Sequence, residues 1–138
     1  MIDVNSCQVL KTAEFPSLSR AIDSHNDKLI VGQRNGTITC KDASNQMDIM
    51  CSHDNGEVWG LAQQADGTVV TSGDDNKVMF WNPDQRKCTK TVKVTDRREK
   101  SRRGRASTLS KLPDSQCSRS VAVNNDWIAV AGNDGAVS

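Results

Sequence analysis

The chain has 138 residues, a formal net charge of +1, 36% hydrophobic positions and 25% charged positions. No run approaches the roughly 20 consecutive apolar residues of a membrane-spanning helix, and the N-terminus lacks the basic flank and apolar stretch of a secretion signal. The five cysteines form no Cys-x-x-Cys pair, and their odd number argues against a disulfide framework. We therefore expect an intracellular chain with no membrane partner.

The near-zero net charge conceals an uneven distribution of charge along the chain. Between Arg86 and Lys111, eleven Lys or Arg residues stand against two acidic residues, a balance of +9. The rest of the chain has seven basic and fifteen acidic residues, a balance of −8. We call residues 86–111 the basic island. Such an asymmetry predicts a negatively charged partner for this part of the chain.

Short segments typical of β-strands follow one another in chain order. The first group lies at 18–23, 28–32, 37–41 and 47–51, and the second at 57–63, 68–72, 77–81 and 88–94. Asn35-Gly36 and the run from Gly73 to Asn76 supply residues that tolerate positive φ, as tight hairpin turns require. Because no window has a sustained 3.6-residue period, the sequence predicts an all-β fold.

The two groups of strands belong to a repeat of about 40 residues. The apolar segments that end in Gly32, Gly73 and Gly132 align with one another at separations of 41 and 59 residues, so an insertion precedes the last copy. Four antiparallel strands in each repeat are typical of a β-propeller blade. We predict the end of a preceding blade at 1–12, blades at 13–51 and 52–94, a basic insert loop at 95–116, and the start of a further blade at 117–138.

A closed propeller needs about four to eight blades. Two complete units and two partial ones are too few, so we expect an incomplete ring and a chain that is a segment of a longer protein.

The second unit resembles a WD repeat. Ser52-His53 stands where that family has Gly-His, Trp81-Asn82 stands where it has Trp-Asp, and GEVWGLA and TSGDDNKV lie between them. The resemblance implies a hydrogen-bonded tetrad of His53, Thr71, Asp75 and Trp81, in which the imidazole bridges a hydroxyl and a carboxylate. The first unit has Lys41-Asp42 and Asn35 in the corresponding places, so its tetrad is degenerate.

The chain contains, in this order, RAID, LIVGQRNGTI, HDNGEVWGLA, SGDDNKVMFWN, a basic insert and SRSVAVNND. Over residues 15–138, this order is similar to that of the echinoderm microtubule-associated protein-like family. That resemblance implies a non-catalytic scaffold of the cytoplasm and cytoskeleton, with protein partners that include tubulin. Two alternatives stay open: a WD-repeat adaptor without microtubule contact, and a propeller subunit of an enzyme complex.

Residue types suited to catalysis or metal binding are few. A candidate metal or acid/base site is offered by His53 with Asp74-Asp75, or by Cys51 with His53. No second pair of ligands lies at the spacing that a zinc site requires. His25 falls in a polar turn, and no nucleophile elbow, P-loop or dinucleotide fingerprint is present. We predict no enzyme activity, no metal and no cofactor.

One position of the first strand is informative across the repeats. Arg20, Trp59 and Arg119 align with each other, at separations of 39 and 60 residues. They are a candidate partner-binding ring at the central opening, in which arginine holds the carboxylates of an acidic or peptide partner. The alternative is packing between blades, with arginine stems covering apolar surface.

The segment 95–107 combines high charge with no aromatic residue. It is interpreted as a contact for polyanions such as the acidic tails of tubulin, as a nucleic-acid contact, or as a solvated loop. Nucleic acid is disfavoured because aromatic platforms and a groove-reading helix are lacking. Ser107 follows a pattern that basophilic kinases favour, and its phosphorylation would weaken polyanion binding. The charged residues of this candidate contact are Arg97, Arg98, Lys100, Arg102, Arg103 and Arg105.

Overall fold

The structure is a computed structural model, and it describes residues 2–10, 12–25, 28–41, 46–54, 56–94, 118–124, 126–132 and 137. All named elements within these ranges are β-strands. The described residues include no helix long and apolar enough to cross a membrane. The predicted all-β fold is confirmed.

Ten strands form three antiparallel sheets, which we call the first, second and third blades. The first blade pairs β1 to β4 in chain order, the second pairs β5 to β8 in chain order, and the third contains β9 and β10. The strands are β1 (Ser19–His25), β2 (Lys28–Gln33), β3 (Thr37–Lys41), β4 (Gln46–Cys51), β5 (Val58–Gln63), β6 (Val69–Gly73), β7 (Lys77–Asn82), β8 (Lys87–Lys93), β9 (Ser118–Val123) and β10 (Ile128–Gly132).

Most predicted strand limits lie within one residue of the observed ones. The largest difference is at β1, which continues to His25, where this residue pairs with Lys28. The placement of His25 in a turn was therefore wrong. Outside the named strands, Ile2 bridges Val9, and Val137 bridges β10 at Ala131.

The hairpin turns use the residues that the sequence indicated. Gly36 has φ of 79° and Asn76 has φ of 57°, and each ends the turn between the second and third strands of its blade. Asn35 and Asp75 precede them, and each side chain accepts the backbone N–H two residues ahead at 3.1 Å. The same turn therefore recurs in both blades, since a carboxamide and a carboxylate accept this bond equally well.

The hydrophobic core consists of two layers, one on each side of the second blade. Successive residues of a strand point to opposite faces, so Val69 packs towards the first blade and Val70 towards the third. This explains why β6 is buried along its whole length. The first layer contains Ile30, Ile38, Cys40, Val58, Leu61, Val69 and Trp81, and the second contains Ala62, Val70, Val78, Val121 and Val130.

The strand register corrects one step of the repeat alignment. Gly73 pairs with Val58 and Gly132 pairs with Ser118, the first residue of β5 and of β9. In the first blade the corresponding partner of Ser19 is Gln33, and Gly32 lies one residue earlier. The alignment of Gly32 with the other two glycines was therefore wrong by one position.

Packing explains why a glycine is needed in the second blade. A Cβ at Gly73 would lie 2.6 Å from Cγ of His53, so the imidazole rests directly against the glycine backbone. Gln33 lies at the matching position of the first blade and is fully buried. Its two amide atoms have no hydrogen-bond partner among the described residues. Glutamine thus occupies, in the first blade, the strand position that glycine occupies in the second.

Candidate functional site

The second blade holds the four predicted tetrad residues in one hydrogen-bonded chain. Nδ1 of His53 lies 2.7 Å from Oδ1 of Asp75, and Nε2 lies 3.1 Å from Oγ1 of Thr71. Nε1 of Trp81 donates to the same hydroxyl at 2.9 Å. His53, Thr71 and Trp81 are fully buried. The network therefore links the loop before β5, the middle of β6, the turn after β6, and β7.

The partners fix the tautomer of the imidazole. Asp75 can only accept at Nδ1 of His53, so this nitrogen carries the proton. Nε2 then accepts from the Thr71 hydroxyl, whose oxygen in turn accepts from Trp81. Every donor in the chain has an acceptor, which is what a buried polar network requires. Both ring nitrogens of His53 are thereby used within the fold.

A second cluster forms where the first strands of the three blades lie side by side. The register shifts at the second residue of each of these strands, between Ser19 and Ala21, between Val58 and Gly60, and opposite Ala131 and Gly132. The extra residues are Arg20, Trp59 and Arg119. A β-bulge turns its extra side chain away from the regular alternation. The same bulge in three blades therefore brings the three predicted rim residues together.

The three side chains form a stack. The guanidinium carbon of Arg20 lies 4.8 Å from the centroid of the Trp59 ring, and that of Arg119 lies 4.1 Å from it. Both distances are within the range of cation–π attraction. We call Arg20, Trp59 and Arg119 the rim stack.

Two carboxylates hold the rim stack in place. Asp74 accepts the indole N–H of Trp59 at 2.7 Å and the backbone N–H of Glu57 at 3.0 Å. Glu57 accepts Nε of Arg20 at 2.8 Å, and it pairs with Nε of Arg34 at 3.0 Å. These ion pairs join residues of the first and second blades. The side chains of Arg20, Arg34 and Arg119 are nevertheless 31–58% exposed.

Sequence reasoning missed Glu57, Arg34 and the role of Asp74. Glu57 lies two residues before Trp59, and Asp74 directly follows the glycine that pairs with Val58. These two spacings in the sequence could have indicated that Glu57 and Asp74 lie near Trp59. They can be interpreted in this way only when the bulge at Trp59 and the strand register are known.

Positive charge also collects on β8, the outermost strand of the second blade. Arg86 in the turn before β8 and Lys87, Lys90 and Lys93 within it are all exposed. Within the described ranges, none of the four forms an ion pair. The described part of the basic island is thus an exposed basic edge, on which Lys90 also lies over the Phe80 ring, 5.4 Å from its centroid.

Comparison with known proteins identifies the blades. The family "WD domain, G-beta repeat" matches residues 44–82, the segment that contains Thr71, Asp75 and Trp81. The matched segment extends from β4, the last strand of the first blade, to β7 of the second. The ciliary WD repeat-containing protein ctxp80 of Euplotoides octocarinatus is 42% identical over 132 residues, which cover 93% of this chain and 18% of that protein. The chain therefore spans less than a fifth of the length of this curated relative.

Solved structures agree on the fold. A chain in the crystal structure of a mitotic checkpoint complex superposes with a TM-score of 0.67 at 22% identity, covering 95% of this chain and 38% of that one. The computationally designed Ika8 protein superposes with a TM-score of 0.58 at 12% identity, covering 84% and 30%. The three sheets are a segment of a WD-repeat β-propeller, and the described blades form part of a ring.

The first blade lacks the WD-repeat tetrad in the structure as well as in the sequence. The strand register places Val31 at the position of Thr71 and Lys41 at the position of Trp81. Lys41 extends its ammonium group to 5.8 Å from the ring centroid of Phe15. An apolar residue and a cation–π contact therefore stand where the second blade has its hydroxyl and indole.

Several predicted residues lie outside the described ranges: the segment 95–107 with its basic residues Arg97, Arg98, Lys100, Arg102, Arg103 and Arg105, and the candidate phosphorylation site Ser107. In the part of the chain that the structure describes, no three His, Cys, Asp or Glu side chains group as metal ligands. Asp74 and Asp75, which we considered for a metal site, instead bind Trp59 and His53.

Proposed function

We propose that this chain is part of a non-catalytic interaction scaffold that binds microtubules through the basic island. The observation that carries the proposal is the exposed basic edge formed by Arg86, Lys87, Lys90 and Lys93, none of which forms an ion pair with another described residue. WD-repeat propellers generally act as platforms on which loops and edges meet other proteins. The remaining charges of the island, between residues 95 and 111, follow directly after this edge in the sequence.

The geometry of β8 supports a long-range electrostatic contact. The strand is the last in its sheet, and Lys87, Lys90 and Lys93 on it are exposed. Lysines on an edge strand also prevent pairing with other strands, which accounts for one or two of them. It does not account for eleven basic residues within 26 positions. A polyanion such as the acidic tails of tubulin would be attracted to this surface and would release it at high salt.

The ciliary relative supports a cytoskeletal location. Ctxp80 is described as ciliary and carries WD repeats, and the match extends over 93% of this chain. We propose the cytoplasm and the ciliary or microtubule cytoskeleton as the place of action of this protein, with no cofactor and no catalytic step.

The test is co-sedimentation of the full-length protein with microtubules. We expect the fraction that pellets to fall steeply between about 50 mM and about 300 mM salt, because the Debye length shortens from roughly 14 Å to roughly 6 Å. Replacing 95–107 with an uncharged linker, or Lys87 and Lys93 with Gln, should weaken pelleting at low salt. Pelleting that is unchanged by both variants would refute the proposal.

A matched control removes the same charge elsewhere. Lys28→Gln with Lys41→Gln takes two positive charges from the first blade, outside the basic island, and should leave pelleting unchanged. Ser107→Asp adds negative charge to the island and should weaken pelleting. If the control weakened binding as much as the Lys87 and Lys93 pair, net charge rather than this surface would be responsible.

A further inference from the structure

The two arginines of the rim stack and the neighbouring Arg34 have unused hydrogen-bond donors. A guanidinium carries five N–H donors, yet Arg20 and Arg34 reach Glu57 through Nε alone. Arg119 approaches Asp74 only at 4.0 Å, which is too long for a hydrogen bond. Within the described residues, the Nη groups of these three arginines therefore make no hydrogen bond.

The cluster also has an excess of positive charge. Three arginines, at positions 20, 34 and 119, stand against the two carboxylates of Glu57 and Asp74, which leaves a net charge of +1. Asp74 already accepts hydrogen bonds from the indole of Trp59 and from a backbone N–H. Glu57 already pairs with Arg20 and Arg34. The excess charge is therefore not neutralised within the cluster.

The geometry is prearranged for a planar anion. The guanidinium carbons of Arg20 and Arg119 lie 4.8 Å and 4.1 Å from the centroid of the Trp59 ring, so contact with the indole holds both groups in position. A guanidinium carries its N–H donors in a planar fork that matches the two oxygens of a carboxylate. Little side-chain entropy is then lost on binding, because the rotamers are already held.

We infer that the rim stack, with Arg34, is a binding site for an acidic peptide segment of a protein partner. The segment lies across the first strands of the three blades, and its Asp or Glu side chains accept from the arginine edges. This surface is distinct from the basic edge of β8, so the inference does not rest on the proposed microtubule contact. A peptide is favoured over nucleic acid because the one aromatic face at the site, Trp59, is occupied by the two arginines and offers no platform for a base.

The experiment is fluorescence anisotropy of the full-length protein with a labelled peptide of alternating Glu and Gly residues. A second peptide with Gln in place of Glu serves as the uncharged reference. We expect Arg119→Gln and Arg34→Gln each to weaken binding of the acidic peptide about tenfold, as expected for loss of one charge-assisted pair. Lys28→Gln, at the other end of β2, removes the same charge and should have no effect.

Two further arms separate this site from the basic island and from packing. The measurements are repeated with 95–107 replaced by an uncharged linker, where the effect of the rim variants should persist. Arg119→Lys keeps the charge but not the planar fork and should still weaken binding. Peptide binding that depends on 95–107 alone overturns the inference. So does a lowered unfolding temperature of the Arg119 and Arg34 variants with unchanged peptide affinity, which is the result expected of packing residues.

Discussion

Replacing Thr71 with Val tests whether the buried network stabilises the second blade. The change keeps the shape of the side chain and removes only the hydroxyl. Nε1–H of Trp81 and Nε2 of His53 would then lose the partners that lie 2.9 Å and 3.1 Å away. Each buried polar group left without a partner costs about 1–3 kcal/mol, so we expect the free energy of unfolding to fall by about 2–6 kcal/mol.

The measurement is urea unfolding followed by tryptophan fluorescence and circular dichroism. Thr71→Ser is the matched control, since it keeps the hydroxyl and loses one methyl group, at a cost of about 1 kcal/mol. The double variant of Thr71→Val with Trp81→Phe should cost less than the two single changes together, because the second change removes one of the stranded donors. A Val variant as stable as the Ser variant would show that the hydroxyl contributes nothing, and the reasoning would be wrong.

Two further predictions concern packing and pH. Gly60→Ala places a Cβ 2.7 Å from the backbone nitrogen of Val121, so β5 and β9 must separate, and we expect a loss of about 1–3 kcal/mol in urea unfolding; an unchanged midpoint would contradict this close approach. The hydrogen bond from Lys77 lowers the pKa of Asp54, so the pair stabilises the folded state above the ordinary carboxyl pKa of 3.8, and this contribution is lost as pH falls through the lowered value. Asp54→Asn should therefore lose less stability than the unchanged protein on acidification below about pH 4, and identical acid curves would argue against the pair.

The sequence by itself determined the class of fold and most strand limits. Runs of five to seven residues bounded by Asn, Asp and Gly favour short strands joined by hairpin turns, because Gly and Asn tolerate the positive φ found at Gly36 and Asn76. The resemblance to a WD repeat implied the tetrad of His53, Thr71, Asp75 and Trp81. Antiparallel pairing of β6 with β7 brings Thr71 near Trp81, whereas His53 joins the network from the loop before β5.

Only the tertiary structure decided what the rim residues contact. Arg20, Trp59 and Arg119 belong to three different sheets, and their stacking depends on how those sheets lie beside one another. Each is also the extra residue of a bulge, which a period of two residues along the sequence does not reveal. The misplaced Gly32 has the same cause, since a shift of register by one residue is invisible without the partner strand. Local patterns therefore specified each blade, whereas the surface proposed to bind a partner arises from packing between blades.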